Sequence, residues 1–122
     1  MRNCLLFLLA GCFAQAADYR PGPEAQRIDG VPQGKVTEHS WNQCKAFPGT
    51  TRNYWVYVPA QYDGKKPANL MVFQDGGGFV RDKGHTRVPI VFDNLIHKGD
   101  ILPTVGLLVN PGSILGSEPG RQ

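Results

Sequence analysis

The sequence holds only three serines and three cysteines in 122 residues, and each scarcity removes a class of chemistry. None of Ser40, Ser113 and Ser117 has the flanking glycines of a G-x-S-x-G nucleophile elbow. Ser113, in Pro111-Gly112-Ser113-Ile114-Leu115-Gly116, misses that pattern by one residue. Cys4 and Cys12 lie close to the N-terminus, which leaves Cys44 alone in the body of the chain. A lone thiol closes no internal disulfide, and no Cys pair stands at metal-ligand spacing. Cys44 reads as a half-buried structural thiol, because a nucleophilic role needs a histidine brought to it by the fold. Long apolar runs are missing too, so no segment suffices to span a bilayer as a helix. Basic residues are scattered, with Lys65-Lys66 the only adjacent pair, and the net charge is +3. Nucleic-acid binding requires a concentrated basic face, so no nucleic-acid partner is expected. His39, His85 and His97 pair with no other His, Cys or carboxylate at ligand spacing, so neither a metal nor another cofactor is expected.

The first residues have the form of an export signal. Arg2 gives a positive start, Cys4 to Ala10 is apolar, and Ala14-Gln15-Ala16 offers small residues for cleavage. The expected division is a signal peptide over 1–17, an extended lead-in over 18–33 and a partial domain over 34–122. Export places the protein in the periplasm or outside the cell. Leu9-Ala10-Gly11-Cys12 also fits a lipoprotein box, which would leave a lipid anchor at Cys12. Cleavage near Ala16 or Ala17 is preferred because Cys12 gives an unusually brief leader. A buried N-terminal helix is the remaining alternative.

Fifteen glycines and ten prolines suit a loop-rich α/β or β protein better than a helix bundle. Residues 18–33, with Pro21-Gly22-Pro23, Gly30 and Pro32, read as extended rather than packed. Lys35 to Trp41 alternates imperfectly, and Asn53 to Val58 is rich in β-branched and aromatic residues. With Pro48-Gly49-Thr50-Thr51 turning the chain between them, the two segments predict an antiparallel pair at a sheet edge. Leu70-Met71-Val72-Phe73 and Val105 to Val109 have no polar face, as in parallel strands covered on both sides. Between them, Pro89 to Lys98 carries a helix pattern, with Pro89 in the first turn and Gly99 as the C-cap. Strand, loop, helix, strand is a βαβ unit. The fold class is therefore α/β: antiparallel edge strands followed by βαβ, the N-terminal portion of a larger sheet. The glycine-rich tail predicts no further element, and one helix cannot cover two faces. Incomplete sequence is therefore expected.

Chemistry concentrates at Asp75-Gly76-Gly77-Gly78-Phe79, directly after an apolar strand. Glycines there let backbone amides approach a ligand with no Cβ in the way. Two such amides can stabilise the anion formed when an ester carbonyl is attacked. One such donor in hydrolases of the α/β class comes from the loop after the third strand. Gly76 and Gly77 are the candidate oxyanion-hole donors, and Asp75 and Gly78 the candidate pocket residues. Three glycines also suit a plain flexible turn, with the Asp75 carboxylate capping it. A dinucleotide loop fits less well: G-x-G-x-x-G is not met, and no helix is expected to open at the glycines. Trp41, Tyr54, Trp55 and Tyr57 could stack on a sugar, but alternation assigns most of them to packing.

Four segments carry a resemblance: Asn53 to Asp63, Met71 to Gly76, Val88 to Ile96, and Val109-Asn110-Pro111-Gly112. Together they resemble the enterochelin esterase-like family, serine hydrolases of the α/β-hydrolase fold grouped with esterase D and feruloyl esterases. The likeness runs from Thr50 to Gly112. It implies acyl transfer from a small-molecule ester by a serine, with a histidine as base and an acidic residue orienting it. The resemblance places all three beyond Gln122, so the only functional part it carries over is the glycine turn. The implied protein is the front part of a secreted carboxylic ester hydrolase, inactive alone. A small exported module that binds a ligand or carbohydrate without chemistry is the alternative.

Overall fold

The computed structural model describes residues 19–114. The export signal, the lipoprotein box, Ser117 and the end of the tail lie outside those residues.

The fold is α/β, built on a mixed sheet of five strands in which four run in the order β1-β2-β4-β3. Strands β1 (Lys35–Trp41) and β2 (Thr50–Val58) pair antiparallel, from Lys35 opposite Val58 to Trp41 opposite Arg52. Strand β4 (Thr104–Val109) lies antiparallel on the other side of β2. It pairs in parallel with β3 (Asn69–Gln74), from Asn69 opposite Thr104 to Gln74 opposite Val109. The antiparallel edge pair and the βαβ unit expected from the pattern are both present. A two-residue strand, β5 (Ser113–Ile114), pairs with the start of β2, where the tail had been expected to hold no element.

Helices α1 (Gly76–Phe79) and α2 (Val88–Lys98) make the crossover from β3 to β4. Proline in the first turn of α2 sacrifices no helical hydrogen bond. Gly99 ends the helix at φ 80°, where Gly99 N–H donates to Ile96 and Asp100 N–H to Leu95. The apolar face of α2 places Val88, Phe92 and Ile96 against Tyr57 of β2 and Leu108 of β4, and these five form the buried core. Tyr57 and Leu108 are wholly buried. The edge of the Tyr57 ring meets Phe92 at 5.7 Å between centroids.

The lead-in differs from the expected extended segment. Pro23–Ala25 forms a 3-10 turn that packs on α2, and Ala25 is buried. The buried Asn94 amide donates to the Glu24 and Gln26 carbonyls at 2.7 and 2.8 Å. Arg87 reaches the Ala25 carbonyl at 3.0 Å. Composition hid this packing because the segment is held by main-chain carbonyls, which any residue supplies.

The second correction concerns β3. Its apolar run predicts cover on both faces, yet Leu70, Met71 and Val72 are 64, 46 and 56% exposed. The strand lies at the sheet edge, and α2 covers only the face carrying Tyr57 and Leu108. Alternation puts Leu70, Val72, Leu107, Val109, Val56 and Tyr54 on the opposite face. Strand β4, the other apolar run, does sit inside the sheet between β2 and β3.

Candidate active site

The glycine turn begins where β3 ends. Asp75 takes the left-handed conformation, φ 58° and ψ 37°, which aspartate tolerates better than most residues. Its carboxylate makes no capping bond; the Asp75 carbonyl instead accepts from Gly78 N–H at 2.9 Å. The chain then enters α1 directly, with Val80 N–H donating to the Gly76 carbonyl at 3.0 Å. A helix does open at the glycines, contrary to expectation. It is a single turn, and without side chains the pattern offered no 3.6-residue period to reveal it.

The three glycines meet different surroundings. Gly76 is buried against β4, where an added Cβ would lie 2.5 Å from the Val109 nitrogen and overlap the Leu108 carbonyl. Only glycine fits there. Gly77 N–H donates to the Asn110 side-chain oxygen at 2.8 Å, so this amide already holds an acceptor. Gly78 has open space where a Cβ would stand, and it is exposed. Gly76 N–H opens the turn, where a helix leaves its first amides without an intrahelical partner.

Beside the turn lies an open concavity of about 300 Å³, lined by Arg52, Val72, Gln74, Asp75, Val109, Asn110 and Pro111. It occupies the C-terminal ends of the parallel strands β3 and β4, where open α/β sheets bind ligands. Asp75 and Asn110 belong to its lining, while the three glycines do not. The structure thus brings together Asp75, Gly76, Gly77 and, through Asn110, the end of β4. Asn110 received no role from the sequence. The available signal was an asparagine placed directly after an apolar strand and before Pro111-Gly112, a position where Asn commonly bonds nearby backbone.

Histidines stay apart from this group. His39 stacks on Tyr54 with ring centroids 5.0 Å apart, His85 meets Tyr19 at 5.3 Å, and His97 lies in the last turn of α2. Cys44 is a buried free thiol. Trp55 packs against the core, while Trp41 is 46% exposed with the Arg52 guanidinium 5.4 Å from its ring centre. Among the described residues no group of three or more His, Cys, Asp or Glu is placed to hold a metal ion. No described helix is long and apolar enough to cross a membrane.

No family model matches the chain, and no curated protein matches it. Solved structures do. One, the structure of a protein designated FAE, has 20% identity and a TM-score of 0.58, covering 78% of this chain and 33% of its own. A feruloyl esterase module from Clostridium thermocellum, complexed with sinapinate, has 22% identity and a TM-score of 0.55 over 79% of this chain and 33% of its own. A CE1 ferulic acid esterase from Anaeromyces mucronatus, in complex with ferulic acid, has 16% identity and a TM-score of 0.59 over 84% of this chain and 37% of its own. The chain therefore spans about a third of the length of the structures it resembles. At these identities the likeness establishes the fold, part of an α/β esterase architecture; function has to be argued from the site.

Proposed function

We propose that this chain is the front part of an exported serine esterase of the enterochelin esterase-like kind, and that its glycine turn supplies the oxyanion hole. One observation carries the proposal. The tight glycine turn lies at the C-terminal end of a parallel strand, its first glycine pressed on β4, within a fold shared with feruloyl esterases. Gly76 and Gly77 N–H are the proposed donors to the developing anion. The Gly77 amide donates to the Asn110 oxygen, and an acyl oxygen bound at the turn would take that oxygen's place. Asp75 and Gly78 border the acyl site.

The proposed reaction is hydrolysis of a carboxylic ester through an acyl-serine, with serine, histidine and acid supplied beyond Gln122. It needs no metal or organic cofactor. Hydroxycinnamate esters are the first substrates to try, since the solved neighbours hold sinapinate and ferulic acid. The proposed division is a signal peptide over 1–17, a lead-in over 18–33 and a partial catalytic domain from 34.

The test has two arms. Reading the gene past Gln122 is expected to give G-x-S-x-G, then an acid, then a histidine, and protein made from that longer frame should hydrolyse methyl ferulate or p-nitrophenyl acetate. The 122-residue chain alone should not exceed the buffer rate. A longer frame without the elbow, or turnover by the short chain, overturns the reading. A second reading, binding without chemistry, draws support from a concavity of about 330 Å³ lined by Ser40, Trp41, Tyr54, Leu107 and Val109. Saturable binding of a carbohydrate there, abolished by Trp41→Ala, would favour it.

A further inference from the structure

Among the described residues only two that are not glycine hold a positive φ, Asp75 at 58° and Arg87 at 45°. They bracket one segment, the glycine turn and the loop that leads from it into α2. Aspartate visits this region readily, whereas arginine does not. Arg87 is ill suited to its place a second time, because a cation beside the N-terminus of a helix opposes the helix dipole. Its side chain makes no cap there. A residue that breaks two local rules is held in place by something more distant.

The guanidinium shows what holds it. Arg87 Nε–H donates to the Gly84 carbonyl at 2.8 Å, and its Nη1 donates to the Ala25 carbonyl at 3.0 Å. Gly84 in turn lies against the glycine turn, where an added Cβ would stand 3.5 Å from the Gly78 carbonyl oxygen. Within the turn, Gly78 N–H donates to the Asp75 carbonyl and Val80 N–H to that of Gly76. At the lead-in, the Asn94 amide takes the carbonyls of Glu24 and Gln26 and so fixes Ala25 between them. One side chain therefore joins the seated lead-in to the loop that rests on the turn. Two further contacts link lead-in and loop, Arg27 with Asp82 at 3.3 Å and the Tyr19 hydroxyl with the His85 carbonyl at 3.2 Å. Both are exposed, and water competes for them.

We propose that Arg87 is a positioning residue, whose guanidinium makes the geometry of the glycine turn depend on the seating of the lead-in. Its planar fork serves two carbonyls at once, which a lysine cannot copy. The inference rests on the esterase reading only for the chemistry that the turn performs. The coupling itself runs through contacts among residues 24–94.

Hydrogen exchange at the Gly78 and Val80 amides of the 122-residue chain, read by NMR against the amides of β4, tests this. Asn94→Ala unseats the lead-in and should speed exchange at Gly78 and Val80 at least about threefold more than in β4. Arg87→Gly relieves the backbone and removes the fork. In that background Asn94→Ala should add nothing at the two amides, a non-additivity that a merely structural arginine would not produce. Arg87→Lys keeps the charge, guards against misfolding of the glycine variant, and should uncouple the lead-in from the turn as well. Exchange at Gly78 and Val80 that follows β4 in Asn94→Ala overturns the inference. Effects that add do so too, as does full coupling in the lysine variant. Such a failure leaves the esterase reading standing, since that is decided by the sequence past Gln122 and by turnover.

Discussion

The Tyr57 hydroxyl donates to Asp93 Oδ1 at 2.7 Å inside the core, joining the second strand to the crossover helix. The same oxygen accepts Gly34 N–H at 2.7 Å, and Arg27 stands 3.6 Å from Oδ2. Asp93 is 3% exposed, so its charge depends on these donors.

Removing the hydroxyl should therefore destabilise the fold without opening a cavity. Tyr57→Phe is expected to lose about 2 kcal/mol, the scale of a hydrogen bond to a charged group. Urea unfolding followed by fluorescence measures it. A loss below about 0.5 kcal/mol would mean that Gly34 and Arg27 satisfy Asp93 unaided.

The same residue sets an alkaline limit. Burial, then the hydrogen bond to Asp93 and its charge, push the Tyr57 ionisation far above the ordinary tyrosine range. The folded state keeps the proton where the unfolded chain releases it near pH 10.0. The contribution is thus complete below that pH and is lost as pH rises above it. Stability of the native protein should fall more steeply above about pH 10 than that of Tyr57→Phe. Parallel curves in that range would refute the assignment.

Two neighbouring glycines should respond oppositely to alanine. Gly76→Ala forces a methyl group into the β4 backbone and is expected to cost about 3 kcal/mol or prevent folding. Gly78→Ala meets nothing within 4 Å and should change stability by less than about 1 kcal/mol, with alanine's helical preference acting in its favour. Thermal melts of the pair make the comparison. Equal effects would show that the turn does not press on β4.

Asn110→Ala should free the Gly77 amide. The expected signature is faster hydrogen exchange at Gly77, with a stability loss of about 1 kcal/mol. Unchanged exchange at that amide would show that the side-chain contact does not hold it.

Asn94→Ala should loosen the lead-in, since one buried amide holds both the Glu24 and the Gln26 carbonyls. A loss of about 2 kcal/mol is expected, together with faster protease cleavage between residues 19 and 33. Cleavage there at the native rate would leave the amide without a structural role.

Much of the secondary structure was legible because local rules and tertiary packing agree. The bounds of β1 and β4 and the glycine end of α2 follow from alternation, apolar runs and capping. What stayed hidden was held by contacts between distant residues. The lead-in clasp joins Asn94 to Glu24 and Gln26 through backbone carbonyls, which leave no compositional trace. Exposure of β3 was misread because an apolar run reports what a strand is suited to touch, not whether anything touches it. At the candidate site, the glycines announced close backbone approach, and Gly76 makes one. The partner of Gly77 was invisible because Asn110 lies 33 residues away and meets it only through the parallel register of β3 and β4.

That separation fixes an order of events during folding. The Gly77 amide gains its acceptor only after β4 has zipped onto β3, a step that must close the whole crossover loop first. Until then the segment following Gln74 lacks its anchor, so the turn reaches its final geometry only once the parallel pair is complete. Any ligand selective for the finished turn would consequently report completion of the parallel pair.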